Sequence, residues 1–447
     1  MGLSTVEAGS IPLFKLTSRP LRYGPSQSAI FPLTPLASRM AFEYLDTLTE
    51  RSVRLRPHGR PYVAVYVCGP TVYAPAHVGH GRTYLAFDIV RRYLRDAGVR
   101  TRHVMNVTDV EDKIDERARE LGMTPLGLAR QEERRFFREL DALRILPPTF
   151  APRASAWVPR MVRIGRQLER RGYVERRGDS WWYSPPARHT RRNFKLAADV
   201  ARHAVREPNG GDRGTRPDPR DFMIWRRQEA PVPTWSSPWG RGVPGWHLEC
   251  YAMALHHLGV PVDYQGGGKD LVFPHHYAQN EIALALEGTP FARGFMHFGF
   301  VRDGGSKMSK SVGNLVSLGP ATREYGASAL RWYLLSRPYA DSLDWSDRDA
   351  GRARLAYREV RRRIGRSVAG GASGTVSAAQ ASRFASEVAR SIGMNLGVDR
   401  AFERIRRWAD ALGRAPRPYA RAGDRSAVRA AYERVECLTG LELLGTR

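Results

Sequence analysis

The clearest pattern in the chain is an unbroken apolar run at 62–68 that ends in Gly69-Pro70. A run without polar alternation reads as a strand buried on both faces, as in a parallel sheet. Behind the turn, Leu85, Phe87, Ile89, Val90, Tyr93 and Leu94 recur at helical spacing, and a second strand pattern occupies 101–107. Strand, loop, helix and strand in that order predict one half of a parallel α/β sheet. The alternation resumes after Gly245, where 260–265 and 295–301 read as strands and 280–286 as a helix. Between the halves lie charged helical stretches, the aromatic run Trp181-Trp182-Tyr183 and a segment rich in Gly, Pro, Asp and Arg at 208–220, which together predict an inserted domain. Beyond 350 the spacing of Ala401, Phe402, Ile405 and Trp408 predicts amphipathic helices. Residues 1–39 hold five prolines and no sustained period, the pattern of a disordered extension or of a start assigned too far upstream. The expected division is an extension at 1–39, the first half of the sheet domain at 40–112 and an insertion at 113–240. The second half follows at 241–300, then a connecting segment at 301–350 and a helical region at 351–447. No internal repeat is evident.

Composition adds limits. At 447 residues, 42% hydrophobic and 26% charged, the chain has the make-up of a soluble globular protein with room for several domains. No run of 18 apolar residues occurs, and the first 40 lack the order of a secretory signal, so the expectation is a cytoplasmic protein with no membrane partner. Three cysteines, Cys68, Cys250 and Cys437, are too few for a disulfide scaffold and fit reduced thiols or metal ligands. The net charge of +26 points to a polyanionic partner, with arginine enrichment from genome composition as the plainer explanation. Residues 351–447 sharpen that choice: they hold 20 Arg and no Lys against 9 acids, which suits either an RNA-binding surface or a solvated helical face.

Candidate chemistry enters through lysine. Of 71 basic residues only 6 are Lys, and two of them fall in Gly304-Gly305-Ser306-Lys307-Met308-Ser309-Lys310-Ser311. A chain that otherwise prefers arginine places compact, mobile ammonium groups here, which a planar guanidinium does not replace, and phosphate handling has that need. Upstream, His77-Val78-Gly79-His80 opens the helix after the first strand. Histidines three apart share a face of a first helical turn, Gly79 lets a ligand approach the backbone, and the positive helix end suits a triphosphate. Either motif alone is four or five common residues. Together and in this order they read as the two halves of one split phosphate site.

The pair resembles the two signatures of class I aminoacyl-tRNA synthetases. Further runs narrow the resemblance to the cysteinyl-tRNA synthetases: Cys68-Gly69-Pro70-Thr71-Val72-Tyr73, Asn106-Val107-Thr108-Asp109, Gly245-Trp246-His247-Leu248-Glu249-Cys250, and Gly266-Gly267-Gly268-Lys269-Asp270-Leu271-Val272-Phe273-Pro274-His275-His276. The resemblance covers about 41 to 345. It implies a class I, Rossmann-like, doubly wound parallel sheet with an inserted domain and a C-terminal α-helical domain. It also implies ATP-dependent activation of L-cysteine and its transfer to tRNA(Cys), with Mg2+ accompanying ATP and a monomer as the expected state.

Residue by residue, the resemblance gives His77, His80, Lys307 and Lys310 as catalytic groups on the phosphates. It gives Gly79, Gly267, Asp270, Met308 and Ser309 as further ATP contacts, and Thr71, Thr108 and Trp246 as cysteine contacts. Selecting a thiol over a hydroxyl calls for a soft Lewis acid, and Cys68, Cys250 and His275 can supply three ligands to one Zn2+. The family's fourth ligand is a glutamate four residues after the first histidine. Here that position is Gln279, so the expected fourth ligand is Glu281, brought in by a loop longer by Tyr277 and Ala278, with a three-ligand zinc as the alternative.

Two other functions compete. Gln265 before the glycine triplet and the short region after Ser311 resemble ligases that join cysteine to an amino sugar-inositol in mycothiol synthesis. An RNA-binding paralogue without activity would keep the fold for its basic surface, but the intact lysines and histidines at both signatures speak against it.

Overall fold

The computed structural model describes residues 42–194, 218, 220–229, 232–308, 315–369, 376–415 and 420–444. The 1–39 extension, most of the 208–220 segment, and Ser309, Lys310 and Ser311 of the lysine loop lie outside the described residues.

A short antiparallel hairpin, β1 (Phe42–Leu45) and β2 (Ser52–Leu55), leads into β3 (Val63–Val67), which is buried throughout. Helix α1 (Val78–Asp96) returns the chain to β4 (Thr101–Met105), parallel to β3. Next come α2 (Asp112–Glu120), α3 (Pro125–Ala142) and α4 (Val158–Arg170). An antiparallel sheet of β5 (Val174–Arg177), β6 (Ser180–Tyr183), β7 (Phe222–Arg227) and β8 (Gly242–Pro244) follows. Then α5 (Trp246–His257), β9 (Tyr264–Gly268), α6 (Tyr277–Glu287) and β10 (Phe295–Phe298) complete a four-stranded parallel sheet of order β10-β9-β3-β4.

Strand order runs one way from β3 to β4 and the other way from β3 to β9. The carboxyl ends of β3 and β9 therefore flank a topological switch point, where open α/β sheets form their ligand crevice.

Predicted strands shift at their ends: 101–107 stops at Met105, and 260–265 becomes Tyr264–Gly268, Pro261 having no N–H to give a ladder. The run 295–301 divides at Gly299 into β10 and β11 (Val301–Asp303); a Cβ at Gly299 would stand 2.1 Å from the Asp341 carbonyl oxygen. β11 pairs antiparallel with β12 (Ser306–Lys307). After α7 (Leu318–Tyr325) and α8 (Ala327–Leu334), β13 (Leu343–Trp345) pairs with β11 in parallel. Four helices end the described chain: α9 (Asp347–Ala369), α10 (Ala378–Gly393), α11 (Val398–Arg414) and α12 (Arg425–Thr439). Among the described residues no helix is long and apolar enough to cross a membrane.

Helix α1 joins these parts. Phe87 packs directly on the β9 backbone, where a Cβ at Gly266 would lie 2.0 Å from its ring, so only glycine admits the helix this close. Beside it, fully buried Asp88 receives Arg92 Nε at 2.7 Å and Arg331 Nη2 at 2.5 Å. Arg331 also donates to the Thr439 carbonyl at 2.7 Å, and Arg92 to the Cys437 carbonyl at 3.1 Å, which ties α8 and α12 to α1. Burial by itself raises the Asp88 pKa, but Arg92, Arg331 and the Leu146 N–H outweigh it and hold the carboxyl below its ordinary value.

Asp88→Asn leaves the Arg331 guanidinium buried without its counter-charge, and such losses cost about 3–5 kcal/mol. Urea denaturation at neutral pH is expected to show that loss. Because the folded pKa lies below the unfolded value of about 3.9, the carboxylate's contribution is complete above that value and fades as pH falls through the folded one. The gap between wild type and Asp88→Asn should therefore narrow in acid; a constant gap would count against the ion pair as its source.

Candidate functional site

The loop after β3 places His77 as the N-cap of α1, and its Nδ1 accepts the Gly79 N–H at 3.1 Å. His80 Nδ1 accepts the His77 N–H at 3.4 Å, and the two rings stack with centroids 3.9 Å apart. A backbone N–H only donates, so both Nδ1 atoms are unprotonated and each neutral ring carries its proton on Nε2. Gly79 is required here, since a Cβ would stand 2.8 Å from His77 Cε1.

The second half of the split site is anchored to the first by backbone. Val78 N–H donates to the Val316 carbonyl at 2.9 Å, and Leu318 N–H donates to the Ala76 carbonyl at 2.9 Å, with His77 bridging Ser317. On the other side of Ser309 and Lys310, the Lys307 backbone pairs with Arg302 and Met308 is buried. The described backbone after the lysine loop is thus held to the turn that carries His77 and His80, while Ser309 and Lys310 themselves fall outside the described residues.

At the carboxyl end of β3, Cys68 donates its N–H to the Gly266 carbonyl at 3.2 Å. Its Sγ lies 3.8 Å from Cys250 Sγ, and Cys250 Sγ lies 3.3 Å from His275 Nε2. One ligand atom from each of Cys68, Cys250 and His275, all buried, falls within 4.8 Å of the others, a group that could hold a metal ion. Burial, then the neighbouring Cys68 sulfur, pushes the Cys250 thiol well up, and burial with the His247 imidazole pushes His275 well down. A cation bound among these donors would be met by sulfur and imidazole together, and its binding would release protons. Trp246 stacks on His275 at 4.0 Å, and His247 Nδ1 meets His275 Nδ1 at 3.0 Å, fixing the ring from both sides.

Thr71 and Thr108 are brought together as a parallel bridge. Asn106 Nδ2 donates to Thr108 Oγ1 at 3.1 Å, and that hydroxyl donates to buried Glu249 Oε2 at 3.0 Å. Its remaining lone pair is left for another donor. Gly267 lies on β9, where a Cβ would meet Leu271 Cδ1 at 2.7 Å, and Asp270 is exposed just beyond the strand.

One expectation is corrected. Glu281 is not at the cysteine cluster: its carboxylate accepts from Asn193 Nδ2 at 2.7 Å and Tyr183 Oη at 3.3 Å, and pairs with His189 Nδ1 at 2.8 Å. Tyr277 and Ala278 do not lengthen a loop but form the first turn of α6. From that turn Gln279 directs its Nε2 at Cys68 Sγ from 3.9 Å, and Glu281, about 200° further round the helix, points elsewhere. Residues the sequence reading left without a role also line the centre. His276 Nε2 lies 3.1 Å from Cys68 Sγ and its Nδ1 lies 2.7 Å from His297 Nε2. The adjacency of His276 to His275 was the available signal; His297 gave none.

Comparison with known proteins agrees with this geometry. The family described as tRNA synthetases class I (C) catalytic domain matches residues 55–354. A cysteine–tRNA ligase of Anaeromyxobacter sp. (strain Fw109-5) is 42% identical over 315 residues, covering 68% of this chain and 64% of the relative. One of Thermococcus onnurineus (strain NA1) is 38% identical over 314 residues, covering 69% and 64%. The chain thus spans somewhat less than two thirds of the length of these relatives. A Mycobacterium tuberculosis methionyl-tRNA synthetase in complex with methionyl-adenylate shares the fold at a TM-score of 0.58 and 17% identity, covering 85% of this chain and 90% of that one. The chain belongs to the class I (C) tRNA synthetase catalytic-domain family.

Replacing the Cys250 sulfur by a hydroxyl should remove the metal, because a hydroxyl is a far weaker ligand for a soft ion than a thiolate. Elemental analysis of purified Cys250→Ser is expected to find little metal, whereas Cys437→Ser, at an exposed position on α12, keeps the wild-type content. Equal metal in both variants would remove Cys250 from the donor set.

Proposed function

We propose that the chain is a cysteine–tRNA ligase that activates L-cysteine with ATP and transfers the cysteinyl group to the 3′ end of tRNA(Cys), working in the cytoplasm. The observation that carries this reading is the Cys68, Cys250 and His275 donor set at the switch point of a fold that also brings His77 and His80 to the lysine-loop anchor. Cys68, Cys250 and His275 would hold Zn2+, which supplies a soft Lewis acid that prefers a thiol to a hydroxyl. Trp246 walls the cysteine pocket, while Thr71 and Thr108 meet the amino acid's polar end.

In the first step a cysteine carboxylate oxygen bonds to the α-phosphorus of ATP as the bond to the β-phosphate oxygen breaks, releasing pyrophosphate. Nε2–H groups of His77 and His80 donate to the phosphate oxygens, and Lys307 and Lys310, with the Mg2+ that accompanies ATP, balance the charge moving onto pyrophosphate. Gly79, Met308 and Ser309 let the phosphates approach the backbone, and Gly267 with Asp270 holds the ribose. In the second step a ribose hydroxyl of the tRNA end attacks the cysteinyl carbonyl, loses its proton and expels AMP. The basic helical region beyond 350 offers the tRNA its charge complement.

Lys310→Ala is expected to slow cysteine-dependent ATP–pyrophosphate exchange at least about 100-fold while changing cysteine Kd by no more than about twofold, since the ammonium acts on charge that develops in the transition state. A matching loss in both would make the loop structural.

Offered radiolabelled cysteine, ATP, tRNA and glucosaminyl-inositol together, the enzyme should label tRNA, and raising salt from 50 to 200 mM should weaken tRNA binding steeply through counterion release. Label in the amino sugar instead would replace this reading with that of an amino-sugar ligase.

A further inference from the structure

Two amides beside the sulfurs have no part in the chemistry above. Gln265 on β9 and Gln279 on α6 are fully buried, and Gln265 Nε2–H donates to Gln279 Oε1 at 2.5 Å. Each also directs its Nε2 at Cys68 Sγ, from 3.8 Å for Gln265 and 3.9 Å for Gln279. A thiolate sulfur offers only lone pairs, so N–H groups are what its surroundings need to present. Gln279 lies four residues after His275, on the same helical face, where a side chain of that length reaches the donor set. Among the described residues that set has three members, with Glu281 held by Tyr183, His189 and Asn193. Two thiolates and a neutral imidazole balance a divalent ion, and neutral amides keep the buried centre at zero charge, which a low-dielectric site favours.

We propose that Gln265 and Gln279 form an amide clamp that holds the Cys68 sulfur by N–H···S hydrogen bonds at the place a fourth protein ligand would reach, leaving the metal three protein donors and one position open to an incoming thiol. The clamp rests on the reading of Cys68, Cys250 and His275 as a metal site. Gln265 and Gln279 are positioning residues: they act through Cys68 and through the space they fill.

The test titrates Co2+ into the metal-free full chain and reads its spectrum, with and without L-cysteine. Gln265→Leu and Gln279→Leu keep side-chain bulk and remove the N–H groups. Freed from those donors, the sulfur gives up electrons more readily, so the sulfur-to-cobalt charge-transfer band should move to lower energy in both variants. Loss of such an outer partner also lowers metal affinity about 10- to 100-fold. The intensity of the visible d–d bands should hold, because neither amide is a ligand. A charge-transfer band unmoved in both variants overturns the clamp, and so does a collapse of the d–d bands in Gln279→Leu, which would make Gln279 a ligand.

Gln279→Glu supplies a second variant of the same shape. Its carboxylate should reach the metal, tightening Co2+ binding and changing the visible d–d bands of the cysteine-free chain. A Gln279→Glu spectrum and Co2+ affinity identical to wild type would mean that residue 279 does not face the metal, against the proposal. Failure of the wild-type chain to bind Co2+ at all would instead sink the metal reading beneath it, an outcome distinct from each of these.

Discussion

The site depends on helix α1 staying where it is, and two charges sealed in the interior hold it. Arg82, 2% exposed, is met by backbone: its guanidinium donates to the carbonyls of Gly299 at 3.1 Å, Leu334 at 3.0 Å, Pro338 at 3.1 Å and Asp341 at 2.6 Å. Asp88, two turns on, is closed by Arg92 and Arg331. Removing a charge from water costs several kcal/mol per ion unless its hydrogen bonds are all made, so a shift of α1 that broke either set would strand a charge in the core. The Arg82 carbonyls flank the β11–β12 segment and α8, so the helix that carries His77 and His80 is locked to the part of the chain that carries the lysine loop. Arginine suits this place because its rigid fork spreads five N–H donors over carbonyls from several segments, against three on a compact ammonium.

Backbone pairing finishes what the buried charges begin. The bonds between residues 76–78 and 316–318 tie the turn that carries His77 and His80 to the segment after the lysine loop without any side chain, and the β11–β12 pairing holds the backbone before it. Position is thus set by backbone anchors, apart from any side chain. The same division holds at the other end of the crevice, where Cys68 and Gly266 are fixed by a strand-end hydrogen bond and the sulfur is left to its neighbours.

Much of this was legible in the sequence, for physical reasons that differ by element. Strand β3 announced itself because a strand covered on both faces has no polar positions, and α1 because its buried residues repeat at helical spacing. Cys68, Cys250 and His275 could be picked out only through the motifs around them; they are distant in sequence, and strand order, not spacing, gathers them. The fourth ligand was misread because counting residues along a supposed loop ignored helical phase: once 277–287 is helix, Gln279 faces the cluster and Glu281 enters the pocket of Tyr183, His189 and Asn193. His297 was invisible because it owes its place to the β10–β9 register, which sets it opposite Gly267.

The two halves of the crevice handle charge in opposite ways. Under the proposed function, the phosphate half meets a substrate whose charge is in excess, with imidazoles whose Nδ1 atoms already accept backbone N–H groups. At the sulfur half the surroundings are buried and neutral, from His276 and Gln265 to Gln279, and burial with its neighbouring imidazoles keeps His276 uncharged. A cation there is balanced by the two sulfurs alone. Under the proposed function, then, charge enters or leaves this half only with a metal and with the thiol that joins it, so selection at the sulfur end rests on which atom can bond, while rate at the phosphate end rests on how charge is met as it moves.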